Sequence, residues 1–474
     1  MLPEIRSHEY LFDVPKFDIN AGDVKNFINE LKGFHEVFSD CFHRSESRGH
    51  FFRYMVGQFS ELERKSIEPI ALNVENGAVR PMQRFISDAE WDDDKILGKY
   101  HSLVNDDLGS ADGALIFDES GFVKKGSDSI GVAKQYCGNV GKVENSQVGV
   151  YAAYVSSNGY SLLDKRLYIP EKWFSDDYEL RRKKCKLPED IEFKTKPQLS
   201  VEMFDSIVKE AILPFKYVLA DSVYGTSPEF IEAVESCIDK TYFVSAPGDT
   251  QCWLKRPIMI KKQYKYKGEV RIKKVLEKTS RKPITLETIA KSINDYFWYK
   301  RKVAEGTKGP IEYEFTRRRI ILSNHGLPQK EVWVFMRRSL GKCPVYKFYL
   351  SNAHLSAKLN LFVWLSGLRW AIEQCFEETK SELGLDHYEV RKYKGWHHHM
   401  LTCMPAHFFL WHIKIRLGKK APSITLSQLR VLLEAVLPLR RYDISSAIEL
   451  VIWIQNKNHA AYLSHRRKYL MMRE

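Results

Sequence analysis

Three acidic residues carry the chemistry this sequence could do. Asp118 closes the apolar run ALIFD, Asp221 closes YVLAD, and Glu373 lies inside the amphipathic stretch LRWAIEQCFEETK. Each run before an aspartate reads as a buried strand. The two carboxylates therefore emerge at strand ends, side by side if the strands are neighbours in one sheet, while Glu373 approaches from a helix. Hard oxygen ligands on rigid elements suit Mg²⁺, and two such ions can clamp the attacking and leaving oxygens of a phosphodiester. The triad points toward nucleic-acid chemistry.

The helix around Glu373 has two distinct faces. Leu361, Leu365, Leu368, Ile372, Phe376 and Leu383 recur at three- and four-residue steps and form a buried stripe. Arg369, Glu373, Glu377 and Lys380 share a neighbouring face by the same spacing, so a carboxylate is flanked by an arginine and a lysine. A solvated, salt-bridged face would look the same. Glu377 is the alternative third carboxylate, one turn along, without the arginine and lysine spacing.

The elements that must position these residues follow from periodicity. Up to about Leu108 the chain reads as helices: FINELKGFHEVFSDCF, SELERKSIEPIAL, and a pair within RPMQRFISDAEWDDDKILGKYHSLV whose second member Ser87 or Asp88 would cap. A helical module with scattered arginines could read DNA ends or simply pack. After Asp112-Gly113, the runs ALIFD, VGVYAAYV and LLDKRLYIP form a three-strand meander, with the turn cluster SSNGYS between the last two. LSVEMFDSIVKEAIL then reads as a helix and KYVLAD as a strand. SPEFIEAVESCI is a helix opened by Ser227 and Pro228, and TYFVSA is a fifth strand.

A meander followed by helix, strand, helix and strand is the order of an RNase H-like α/β core. It places Asp118 on the first strand and Asp221 after the fourth. The expected fold is thus α/β, with an RNase H-like (retroviral integrase-like) catalytic core in two parts, residues 109–251 and 351–415, the second carrying the Glu373 helix. A mainly β insertion (252–350) separates them, and helical regions (1–108 and 416–474) flank them. The insertion runs through the lysine-rich IMIKKQYKYKGEVRIKKVLEK, a helical pattern over 283–293, and the strand-like IEYEFTRRRIIL, EVWVFMRRSL and VYKFYLSN. Its lysines, arginines and aromatics suit a surface that tracks a phosphate backbone and stacks on bases, or a solvated β face.

Composition is consistent with a polyanion partner. The 474 residues carry a formal charge of +13, which favours phosphate contacts through counterion release and also fits a merely basic protein. Eight cysteines form no CxxC pair and no zinc spacing with histidine. With no signal peptide, this predicts reduced thiols and a cytoplasmic location. LNLFVWLSGL and AHFFLWHIKI are too short to span a bilayer and read as core helices. Consecutive His397, His398 and His399 cannot all face one ion from a helix.

The spacing R-x3-E-x6-K resembles the signature of the IS4-type DDE transposases, Y-x2-R-x3-E-x6-K. Arg369, Glu373 and Lys380 match it, while Ser366 stands where the signature has tyrosine. Several ordered stretches more specifically resemble the IS701 family of insertion-sequence transposases: DESGFVKKGSDSIGVAKQYCGNVGKVENSQVGV, LYIPEKW, LADSVYG, EGTKGPIEYEF and RWAIEQCFEETKSELGLDHYEVRKYKGWHHH.

The resemblance implies a DDE triad of Asp118, Asp221 and Glu373 binding two Mg²⁺ ions, with Mn²⁺ able to substitute. It implies that Arg369 and Lys380 hold phosphates beside the scissile bond, with Lys124, Lys125, Lys134 and Lys142 as backbone contacts. It further implies cut-and-paste transposition on double-stranded DNA, terminal inverted repeats and target, by a homodimer in the synaptic complex, with no membrane partner. Trp253 and Trp298 lie in the insertion, where related transposases use an aromatic to hold a flipped base, although core or hairpin packing is the better account of either. Two other functions remain open: an RNase H-like nuclease or resolvase without strand transfer, and a domesticated DNA-binding protein without chemistry.

Overall fold

A computed structural model of the chain describes residues 16–267, 269–306 and 309–471. Five helices open it: α1 (Ala21–Glu36), α2 (Ser45–Phe59), α3 (Ile67–Asn73), α4 (Val79–Ser87) and α5 (Asp93–Leu108). α2 falls between the runs that periodicity marks, α1 stops at Glu36 short of the end of its run, and α3 and the cap of α5 differ as well. The segment SELERKSIEPIAL is helical only from Ile67, because residues before it are drawn to other partners. The Lys65 backbone N–H donates to His387 Nδ1 (3.1 Å) and its Nζ to the Gln58 carbonyl (2.9 Å). The cap of α5 is Asp92, which accepts the Lys95 N–H at 3.1 Å, whereas Asp88 pairs with Lys186 at 2.8 Å.

The sheet then begins with β1 (Ala114–Val123), β2 (Ala133–Cys137), β3 (Lys142–Ser156) and β4 (Gly159–Tyr168). β2 forms within the basic stretch between ALIFD and VGVYAAYV, which has no strand periodicity of its own, and pairs with the first part of β3. Helices α6 (Glu179–Cys185) and α7 (Lys196–Glu210) lead to β5 (Tyr217–Ala220). α8 (Ser222–Gly225), α9 (Pro228–Ser236) and β6 (Thr241–Ala246) follow. Ser227 caps α9 through the Phe230 N–H and Pro228 occupies its first turn, as the sequence predicts.

β4, β3 and β1 are antiparallel neighbours, and β5 and β6 continue parallel to β1. The order β4-β3-β1-β5-β6 is that of an RNase H-like sheet, so the expected α/β fold class holds.

The following segment is mainly β and extends the same sheet. Short β7 (Gln251–Trp253) is followed by a separate two-stranded ribbon, β8 (Met259–Tyr266) and β9 (Glu269–Leu276). Next come β10 (Ile284–Thr285), α10 (Leu286–Ser292), β11 (Tyr299–Gly306), β12 (Gly309–Asn324), β13 (Leu327–Arg338) and β14 (Tyr346–Ser351). β14 pairs with β6, so β12, β13 and β14 carry the sheet outward from the RNase H-like strands.

The chain returns through α11 (Leu359–Leu368) and α12 (Trp370–Leu383), separated only by Arg369, and then α13 (Tyr393–Leu417), α14 (Leu426–Glu434) and α15 (Ile444–Met471). Along α11 and α12, Leu365, Ile372, Phe376 and Leu383 are buried as the stripe predicts, while Leu361 and Leu368 are half-buried. α12 lies across β1, β3 and β4; α7 and α9 pack together, with α7 also against β3 and β4 and α9 against β6. α13 is buried along most of its length, held by α2, α4, α5, α12 and α14. One continuous apolar core thus joins the opening helices, the sheet and the returning helices. Among the described residues, no helix is long and apolar enough to cross a membrane.

Candidate active site

Strand register sets the two aspartates side by side. β1 and β5 pair in parallel up to Phe117 and Ala220, and Asp118 and Asp221 are the next residue on each. Asp118 is not at a strand end as its apolar run suggested. β1 continues to Val123 because its other edge stays paired with β3, where Asp118 faces Tyr151. The strand that ends is β5. There the Asp221 carboxylate accepts the Val223 N–H at 2.8 Å and turns the chain into α8.

Both carboxyl groups are held above their usual range. Burial pushes Asp118 up to about 7, with Arg369 opposing the shift and Asp221 adding to it. Burial raises Asp221 too, and Glu119 contributes. Two desolvated acids whose negative charge is under-compensated make a donor set that favours an added hard cation.

Glu119 projects from the opposite face of β1, since successive strand residues alternate. Its two oxygens accept from Lys196 Nζ (2.7 Å) and Tyr224 Oη (2.9 Å). It thereby ties α7 and the turn after Asp221 to the strand that bears Asp118. Gly225 makes that turn possible: a Cβ there would lie 2.5 Å from the Ser245 carbonyl oxygen, so α8 sits flush on β6.

Over the aspartates lies the junction of α11 and α12. Arg369 Nη1 donates to Ser245 Oγ (3.0 Å), and Nη2 lies 3.8 Å from Asp118 and 3.7 Å from Glu373. One guanidinium nitrogen therefore stands between the first and third acids. The side chain of Asp118 is 15% exposed and that of Glu373 is 57%, so only Glu373 is free to turn. Among the described residues no three acids, histidines or cysteines are close enough to hold an ion as they stand. Asp118 and Asp221 fit a metal as a pair, with the Arg369 wedge separating Glu373 from Asp118. Glu377 instead accepts from Gln374 at 2.7 Å.

Asp221, Arg369 and Glu373 line one cavity of about 930 Å³ whose far wall is β13 and β14. Ser366, at the tyrosine position, is buried and donates to the Val363 carbonyl of its own helix. Lys380 lies two turns beyond Glu373, 5.5 Å from the Phe122 ring centroid, and burial lowers its pKa. Lys124 donates to the Tyr388 carbonyl (3.1 Å) beneath that tyrosine's ring, and burial brings its pKa down to about 8. Lys125, Lys134 and Lys142 are exposed, the last pairing with Glu144 at 3.2 Å.

The histidine triplet is packing: His398 stacks on Trp91 and His399 bonds Tyr54 Oη at 2.7 Å. Trp253 and Trp298 are likewise buried. Sequence reasoning missed Glu119, Lys196 and Tyr224, and it missed Arg337 and Lys347 on the cavity wall. The motifs DESG and LADSVYG contained the first and third.

Paired carboxylates beside a guanidinium on an RNase H-like sheet define a class of enzyme, one that breaks and makes phosphodiester bonds. Residues 37–310 match the family described as DDE superfamily endonuclease, and the chain belongs to that family. The matched span contains Asp118 and Asp221 and ends before Glu373. The chain is 24% identical over 347 residues to the probable transposase for insertion sequence element IS701 of Microchaete diplosiphon, covering 72% of this chain and 77% of the relative. The resemblance read from the motifs is borne out, and the function it carries is that of a DDE transposase. Endonucleases of this superfamily generally use divalent metal ions. A cryo-EM structure of the piggyBac transposase synaptic complex with hairpin DNA aligns with 87% of this chain and 78% of that one, at 8% identity and a TM-score of 0.37.

Proposed function

We propose that this cleft cuts double-stranded DNA at the terminal inverted repeats of an insertion sequence and joins the freed 3′ ends to target DNA. The observation that carries the reading is the position of Arg369, bonded to Ser245 and set between Asp118 and Glu373 beside Asp221. Asp118 and Asp221 would hold divalent metal, two Mg²⁺ ions or Mn²⁺ in their place, with Glu373 completing the set. Bound there, the metal would activate water or a 3′-hydroxyl and stabilise the leaving oxygen.

The chain's own residues prepare that chemistry. As DNA enters, Arg369 exchanges its carboxylate partners for a phosphate, which a planar guanidinium grips in bidentate fashion. Glu373, exposed and released, turns toward the aspartates. Glu119, Lys196 and Tyr224 hold Asp221 in register meanwhile. Lys380 together with exposed Lys125, Lys134 and Lys142 would follow the backbone. Lys124 is left out because its ammonium is already engaged within the fold.

The opening region (1–108) and the β segment (252–350) would recognise the ends, the two core segments would do the chemistry, and the C-terminal region (416–474) would support assembly. Ribbon β8–β9 supports this reading by its run of lysines. α15 exposes Ile448, Val451 and Ile452, an apolar face suited to joining two copies as a homodimer when two ends are synapsed. Such a protein acts in the bacterial cytoplasm.

The test incubates purified protein with repeat-end DNA, target plasmid and Mg²⁺, comparing wild type with Asp221→Ala. Strand-transfer products from wild type alone are expected. Products that persist in the variant would refute the acid assignment. Cleavage without joining would indicate a nuclease, and end binding without cleavage a non-catalytic protein.

A further inference from the structure

The wall of the cavity opposite Asp221 and Glu373 is cationic, and its charge is unanswered. Arg337 on β13 and Lys347 on β14 are direct cross-strand partners and both line the cavity. Like charges set directly opposite one another destabilise a strand pair. Among the described residues neither has a carboxylate within ion-pair distance. The Arg337 guanidinium lies 4.2 Å over the Tyr313 ring, which leaves its hydrogen-bond donors free at the edge. The adjacent residue shows what a structural arginine looks like on the same strand. Arg338, on the other face, pairs with Glu314 and Asp295 at 2.7 Å each. Burial lowers the Lys347 pKa first, and repulsion from its neighbour Arg337 and from Arg369 lowers it further, with Glu373 opposing.

Two cations kept unpaired, beside a third on Arg369, make an anion site. We propose that Arg337 and Lys347 form a phosphate subsite that holds the DNA backbone next to the scissile phosphate, on the β13–β14 wall of the cleft. The inference rests on the reading of the cleft as DNA-cleaving. The planar guanidinium, steadied by Tyr313, would fix the phosphate's direction, and the ammonium would add charge without direction. The β segment would then position the substrate at the site of chemistry, as well as recognising ends away from it.

The test is DNA binding by fluorescence anisotropy, in EDTA, with a repeat-end duplex and with the same duplex carrying one uncharged methylphosphonate beside the scissile position. The variants are Arg337→Gln with Lys347→Gln, and the charge-conserving Arg337→Lys with Lys347→Arg. For the neutral pair, affinity for the native duplex is expected to fall about tenfold, with the slope of log affinity against log salt shallower by about one. The methylphosphonate should weaken wild type but not the neutral pair, and the charge-conserving pair should recover most of the affinity. Equal loss on the methylphosphonate duplex for wild type and neutral variant would overturn the subsite, as would unchanged affinity and slope. Because binding is read without turnover, failure of cleavage would refute the catalytic reading and leave this result standing on its own.

Discussion

Glu119 governs the geometry of both aspartates without facing the cleft. It follows Asp118 in the chain, its partner Tyr224 follows Asp221 by three residues, and the bond between them measures 2.9 Å. A hydrogen bond to a charged group contributes about 1.5–3 kcal/mol. Tyr224→Phe should therefore lower unfolding stability by about that amount in a urea titration. It should also cut single-turnover cleavage on the order of tenfold or more, because small misplacements of reacting groups are costly. A rate and stability equal to wild type would remove Glu119 and Tyr224 from the positioning role.

Lys124 makes the opposite case at the same scale. Burial lowers its ammonium from 10.5 to about 8. Between those values the unfolded chain retains a proton that the folded chain has released, so stability rises with pH across the window through this group. Lys124→Met should reduce that rise in denaturation curves taken from about pH 8 to 10, leaving the part contributed by buried Lys65, and should leave DNA affinity unchanged. Loss of affinity in the variant would return Lys124 to the DNA-binding surface.

Elements place these side chains, and two of them make separable predictions. Gly225 lets α8 lie against β6, so Gly225→Ala must push the turn away from β6 and displace Asp221 with it. Cleavage should drop at least as far as with Tyr224→Phe while end binding persists; full activity would contradict the close packing. Ribbon β8–β9 sets Lys261 opposite Lys274 on one face and Lys262 opposite Lys273 on the other. Such pairing is unfavourable without a polyanion, and a two-stranded ribbon fits the major groove. Replacing all four lysines by glutamine should flatten the salt slope of duplex binding by about three to four, measured by anisotropy. An unchanged slope would show that the ribbon faces solvent in the complex.

These elements were unevenly legible in the sequence. Short apolar runs ending in aspartate marked β1 and β5, and three- and four-residue spacing marked the Arg369–Glu373 face, since both signals are local. The continuation of β1 past Asp118 was hidden because it depends on pairing with β3. Arg337 and Lys347 were hidden for the same reason, since their meeting depends on the register of β13 with β14. Helix α3 begins later than its periodicity because the Lys65 backbone N–H is held by His387, 322 positions away.

At the scale of the whole molecule, α13 is the shared core of regions that sequence alone separates. α2, α4 and α5 from the start of the chain and α12 and α14 from its end all pack on it. A chain lacking residues 1–108 should therefore expose much of α13, aggregate, and lose the cooperative unfolding of the full chain in calorimetry. A soluble, cooperatively folding truncation would contradict the common core. The cleft depends on this frame, because α12 carries Arg369 and Glu373 only as well as α13 and α14 hold it on the sheet.

The central claim is that Asp118, Asp221 and Glu373 act together on DNA with Arg369 moving between them. Its most direct test is single-turnover cleavage of a repeat-end duplex in Mg²⁺ by Asp118→Asn, Asp221→Asn, Glu373→Gln and Glu377→Gln, with end binding measured in parallel. The expected result is loss of cleavage by about a thousandfold or more in the first three, with binding retained and Glu377→Gln close to wild type. Near-normal cleavage by Glu373→Gln, or its transfer to dependence on Glu377, would contradict the account.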